Sequence, residues 1–223
     1  MKWIVIIACA LWSLKPVAAQ VTGPTKHISS ANGLSNDFVT SLAIDGQGYV
    51  WVATESGVNR IAGNTCQPMM TDLMAGQLIT ALCWHQPSGN MMIGTERGLT
   101  AYHPESGLVH HLDTDDGLVK SSINDMVLSD DGGLWVVYGN GALQHMNCTT
   151  FTVSNVEISH PYPNRCAMDD GHGHLYIGHS KHGMTVMNID NGLSTNYVYQ
   201  AGDDHSLPGN NVRCIYQDRN RRI

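Results

Sequence analysis

From Val39 onward the chain is a succession of short apolar runs separated by glycine-bearing turns. Val39 to Ile44 is apolar with small residues between, which predicts a buried strand. Asp45 to Gly48 predicts a tight turn, in which Asp bonds its own backbone and Gly supplies positive φ. Tyr49 to Thr54 reads as the next strand and Glu55-Ser56-Gly57 as a second turn. Val58 to Ile61 then starts a third strand, with a fourth expected before the pattern restarts. No segment beyond the N-terminal one sustains a helical period of apolar residues, so the expected class is all-β.

The pattern recurs. Asp45-Gly46-Gln47-Gly48-Tyr49-Val50-Trp51 has counterparts in Ser88-Gly89-Asn90-Met91-Met92, Asp131-Gly132-Gly133-Leu134-Trp135 and Asp170-Gly171-His172-Gly173-His174-Leu175-Tyr176. The bulky residues Trp51, Met92, Trp135 and Tyr176 lie 41, 43 and 41 positions apart by subtraction. That is the length of one four-stranded propeller blade. These four are the expected structural anchors, filling the space between radially packed sheets. Small residues shortly after them (Ala53, Gly94, Gly178) are expected to let neighbouring backbones approach. The repeats fall near 33–74, 75–116, 117–160, 161–205 and 206–223. The last begins its first strand at Val212 and stops at Ile223, where a bulky anchor is due. The expected fold over 20–223 is therefore a partial β-propeller, four blades and the start of a fifth, truncated relative to a complete ring.

Charge and cysteine usage narrow the function classes. The formal charge is −7, with 12 Lys and Arg that form no cluster before Arg219, Arg221 and Arg222. An acidic chain repels phosphate backbones, which argues against nucleic-acid binding and against an electrostatic membrane-surface role. Lys2, the apolar run Trp3 to Leu14 and the small residues Val17-Ala18-Ala19 predict a secretory signal peptide over 1–19, cleaved before Gln20. The mature chain then has Cys66, Cys83, Cys148, Cys166 and Cys214, an odd number with no zinc spacing. Small buried hydrophobes are the expected role. Cys166 and Cys214 fall at matching positions of neighbouring repeats and are both expected between sheets.

Candidate chemistry is sparse. The acid pairs Asp130-Asp131 and Asp169-Asp170 occupy the same turn in successive repeats, as a folding motif would and a catalytic dyad would not. His172, His174, His179 and His182 flank the two ends of one strand, too far apart for one tetrahedral metal site. No nucleophile elbow or phosphate loop occurs. No catalytic residue, metal site or cofactor is expected. Aromatic rings stack on sugar faces, which makes Trp84-His85 and His160-Pro161-Tyr162 the candidate ligand contacts.

Gly33-Leu34-Ser35-Asn36-Asp37-Phe38-Val39, the Gly48 to Val58 core and Asp203 to Arg213 resemble the two-component regulator propeller repeat. Met92 and Tyr176 depart from its usual Trp. The resemblance implies seven-bladed propellers that form the periplasmic sensor half of hybrid histidine kinases. It further implies a ligand-sensing role, with glycan-derived oligosaccharides as ligands and a homodimer in the full protein. A membrane helix and the kinase would lie outside this chain. A secreted, lyase-like propeller enzyme and a pure interaction scaffold are the alternatives.

Overall fold

A computed structural model describes residues 27–159 and 161–223. The expected signal peptide and His160 lie outside the described residues. Four antiparallel sheets form, each a four-stranded meander in chain order. Blade 1 comprises β1 (Val39–Ile44), β2 (Val50–Thr54), β3 (Gly57–Ala62) and β4 (Thr65–Met69). Blade 2 comprises β5 (Ile79–His85), β6 (Asn90–Thr95), β7 (Leu99–Tyr102) and β8 (Val109–Leu112). Blade 3 comprises β9 (Ile123–Leu128), β10 (Leu134–Tyr138), β11 (Leu143–Met146) and β12 (Val153–Val156). Blade 4 comprises β13 (Asn164–Asp169), β14 (His174–His179), β15 (Met184–Asn188) and β16 (Ser194–Tyr197). The first strands β1, β5, β9 and β13 pack side by side in that order. These are four blades of a β-propeller, with two short helical turns among the described residues, at Ser30–Asn32 and Thr71–Met74.

The predicted turn chemistry is present. The Asp45 carboxylate accepts the amides of Gln47 and Tyr49 at 3.0 and 2.9 Å, and Asp170 accepts those of His172 and His174. The Thr-x-x-Gly element after the second strand is equally local. Thr54 donates to the Gly57 carbonyl and Thr95 to that of Gly98, both at 3.0 Å.

Packing explains the anchors. Trp51 is fully buried against Ile79, Met91 and Ile93 of blade 2. Met92 sits with Met126, Leu134 and Val136 of blade 3, and Trp135 with Ala167, Leu175 and Ile177 of blade 4. Each anchor is thus a second-strand residue aimed at the following blade. Close approach is real at the small positions: a Cβ on Gly94 would lie 2.8 Å from Ile123, and one on Gly178 would lie 2.6 Å from the Cys166 sulfur and 2.7 Å from Val212.

Four expectations need correction. β1 is not a buried strand: Leu42 and Ile44 are each 63% exposed, because no described blade covers that face. Tyr176 is half-buried rather than enclosed like the other anchors, since it borders an open cleft lined by β15, β16 and the 200–208 loop where the others meet a following blade. Cys166 is buried but Cys214 is exposed. The fifth repeat forms its turn, with Asp218 accepting the amides of Asn220 and Arg222, yet no strand pairs at Val212 to Tyr216. The Val212 amide donates to the His179 carbonyl at 3.1 Å, but among the described residues no second strand pairs along the segment.

Candidate functional site

The first strands share an irregularity that positions one side chain each. In every blade the pairing of first and second strand skips a residue: Thr40 in β1, Thr80 in β5, Asn124 in β9 and Arg165 in β13. Such β-bulges bend the strand and re-aim the extra side chain. The four skipped residues, together with Arg213, which follows Val212 in the fifth repeat, line one cavity of about 330 Å³. It lies at the leading ends of the inner strands, where they converge. Glu55 closes its blade 1 side, its amide held by the Phe38 carbonyl at 3.2 Å.

Two of the bulged side chains also tie blades together. Thr80 donates to the Ile123 carbonyl of blade 3, and the Asn124 amide donates to the Asn164 carbonyl of blade 4 at 2.8 Å. The next residue along continues the tie. Ser41 accepts the Leu82 amide at 3.0 Å and Asp125 accepts the Ala167 amide at 2.9 Å. Asp125 is half-buried between blades 3 and 4. Desolvation pushes its carboxyl up to about 6, against the two amides that favour the charged form. Burial likewise pushes the neighbouring thiols of Cys83 and Cys166 up to about 12, which disfavours their thiolates. No disulfide forms among the described residues.

The aromatic candidates do not meet. Trp84 and His85 end β5, at the first-hairpin end of the ring, whereas Tyr162 precedes β13 at the opposite end. Trp84 lines a cleft of about 240 Å³ with Gln47, His103 and Glu105, and its indole donates to Gln86 at 2.7 Å. His85 is buried, its ring nitrogens occupied by Ser88 and by the Gly132 carbonyl of blade 3, so it serves packing between blades. Tyr162 stacks on His182 at 4.2 Å. His179 is buried between Asn164 and Thr185, and His174 lies 3.2 Å from Asp170. Among the described residues no group of three or more His, Cys, Asp or Glu converges as a metal site would require.

The axial ring escaped the sequence reading, though a signal for it existed. Aligning the repeats one residue into each first strand places Thr40, Thr80, Asn124, Arg165 and Arg213 in register. Strand alternation alone does not reveal them, because the bulge breaks the alternation there.

Residues 33–56 match the model of the two-component regulator propeller. Over 87% of its length the chain is similar to the extracellular domain of a hybrid two-component system from Bacteroides thetaiotaomicron, at 25% identity and a TM-score of 0.74. The chain spans 28% of that domain. It is also similar to the extracellular domain of a one-component system of the same bacterium, at 17% identity and a TM-score of 0.50, covering 85% of this chain and 33% of that one. Virginiamycin B lyase from Staphylococcus aureus shares the fold at 14% identity and a TM-score of 0.61, covering 82% of this chain and 59% of the enzyme. A search of curated proteins finds no match. Among the described residues no helix is long and apolar enough to cross a membrane.

Proposed function

We propose that this propeller is the periplasmic ligand-sensing part of a two-component sensor. The observation that carries it is the 25% identity, over 87% of the chain, to the extracellular domain of a hybrid two-component system. On this reading residues 1–19 export the chain and are removed before Gln20. The propeller takes up glycan-derived oligosaccharides, and binding is passed to a histidine kinase in the rest of a longer, homodimeric, membrane-anchored protein. The chain itself carries out no chemistry. Support comes from thiols whose ionisation is disfavoured and from acid pairs spent on turns.

Thermal melting of the purified chain against a panel of plant and host oligosaccharides tests the reading. An upward shift that saturates with one saccharide is expected. Turnover of any saccharide, or the lack of any shift across the panel, would overturn it. Mass spectrometry of the exported chain checks the address: Gln20 is expected at the N-terminus, and a retained Met1 refutes export with cleavage.

A further inference from the structure

The axial cavity is asymmetric in charge. Its blade 1 to blade 3 positions are the neutral Thr40, Thr80 and Asn124, while its last two positions are Arg165 and Arg213. Both arginines are exposed, and neither makes an ion pair or hydrogen bond among the described residues. The chain as a whole is acidic, with 19 Asp and Glu against 12 Lys and Arg, so two adjacent unneutralised cations at one mouth run against its general charge. Thr80 and Asn124 are engaged in inter-blade bonds, which leaves the Thr40 hydroxyl as a neutral free donor and the two guanidinium forks as the charged ones. Arg165 is held on a bulge, the backbone device that turns a side chain out of its strand register.

We propose that Arg165 and Arg213 bind an oxyanion, a carboxylate or sulfate, carried by a saccharide that enters the axial cavity. This rests on the sensing reading above and deepens it: the ligand is an acidic saccharide rather than a neutral one. Guanidinium matches two coplanar oxygens by parallel N–H donors, and two such forks can enclose one anionic group from two sides. Glu55, on the far side of the same cavity, repels a second anion and accepts sugar hydroxyls. The cavity therefore discriminates along its length, with charge read at blades 4 and 5 and hydroxyls read at blade 1.

Four probes test this by isothermal titration of the full chain: a uronate disaccharide, a neutral disaccharide carrying one sulfate, its unsulfated counterpart, and inorganic sulfate. One or both charged disaccharides are expected to bind, and which one does identifies the oxyanion. Arg165→Gln and Arg213→Gln should each weaken binding by about ten- to a hundredfold, the range for losing a charged hydrogen-bonding pair. Arg→Lys should restore only part, because the charge returns without the fork. Unchanged melting of each variant excludes misfolding, and weaker binding at high salt is expected. Binding of the neutral disaccharide equal to that of the charged ones, or insensitivity to both Gln variants, would overturn the inference while leaving oligosaccharide sensing in place. Arginine-dependent binding of sulfate with no disaccharide bound would uphold the oxyanion site and sink the saccharide reading. No binding of any charged probe overturns the site.

Discussion

Leu42 and Leu82 hold the same place in successive blades, each two residues past the bulged threonine of its first strand, Thr40 or Thr80. Leu82 is 6% exposed and Leu42 is 63% exposed. Sequence cannot distinguish them, since both are leucines in apolar first strands. The difference is the neighbour: Leu82 packs into the cluster around Trp51, whereas no described blade lies against Leu42. In a radial fold, residue type belongs to the repeat and burial belongs to the interface. The anchors repeat the lesson at the other end, where Trp51, Met92 and Trp135 are enclosed and Tyr176 is only half covered.

The contrast can be broken by substitution, read by urea denaturation. Trp51→Ala should cost about 3–5 kcal/mol, because it removes a fully buried aromatic and strands the Asp45 carboxylate that accepts its indole N–H at 2.8 Å. Tyr176→Ala should cost about 1 kcal/mol or less. Equal losses would show that anchors stabilise their own blade and not an interface.

Leu82→Ala should cost about 2–5 kcal/mol and Leu42→Ala under about 0.5 kcal/mol. A large effect at Leu42 would mean that its face is covered in solution, and light scattering would show by how many chains.

Asp125 sharpens the comparison through pH. Its carboxyl is raised from 3.8 to about 6 in the folded chain, so folding favours the protonated form. Its contribution is fully present below pH 4 and is lost as pH rises through about 6, where both states are ionised. Melting followed from pH 7 down to 5 should therefore show a stabilising component of about 1 kcal/mol, growing to roughly 2–3 kcal/mol below pH 4. Asp125→Asn should remove it. An unchanged pH profile in that variant would place the titration elsewhere.

Gly94→Ala, with its Cβ 2.8 Å from Ile123, should cost about 1–3 kcal/mol by pushing blades 2 and 3 apart. Gly48→Ala meets no neighbour and tests only the positive φ of 85°, so it should cost less than Gly94→Ala.

Much of the fold was legible because blade length and turn chemistry are local. The 41- to 43-residue spacing, Asp45 at its turn and the Thr-x-x-Gly element all follow from short-range hydrogen bonds written in adjacent residues. The site was not legible for the opposite reason. Trp84 and Tyr162 are aromatic and therefore conspicuous, yet chain direction puts them at opposite ends of the ring. Thr40, Thr80, Asn124, Arg165 and Arg213 differ in size and charge, and only the bulge at each inner strand makes them one set.

The bonds of Ser41, Thr80, Asn124 and Asp125 all cross between blades at the innermost strands, while farther out the contacts are apolar side chains. Directional bonds at the hub resist sliding; apolar contacts toward the rim, having no preferred angle, tolerate tilt. The blades are thus leaves bound at a spine. A molecule wedged among the bulged residues pushes on that spine, and a small spread there becomes a larger displacement of the outer strands by simple leverage. Amide exchange should register it, with Leu82 and Ala167 N–H slow in the empty chain and faster once the spine is occupied.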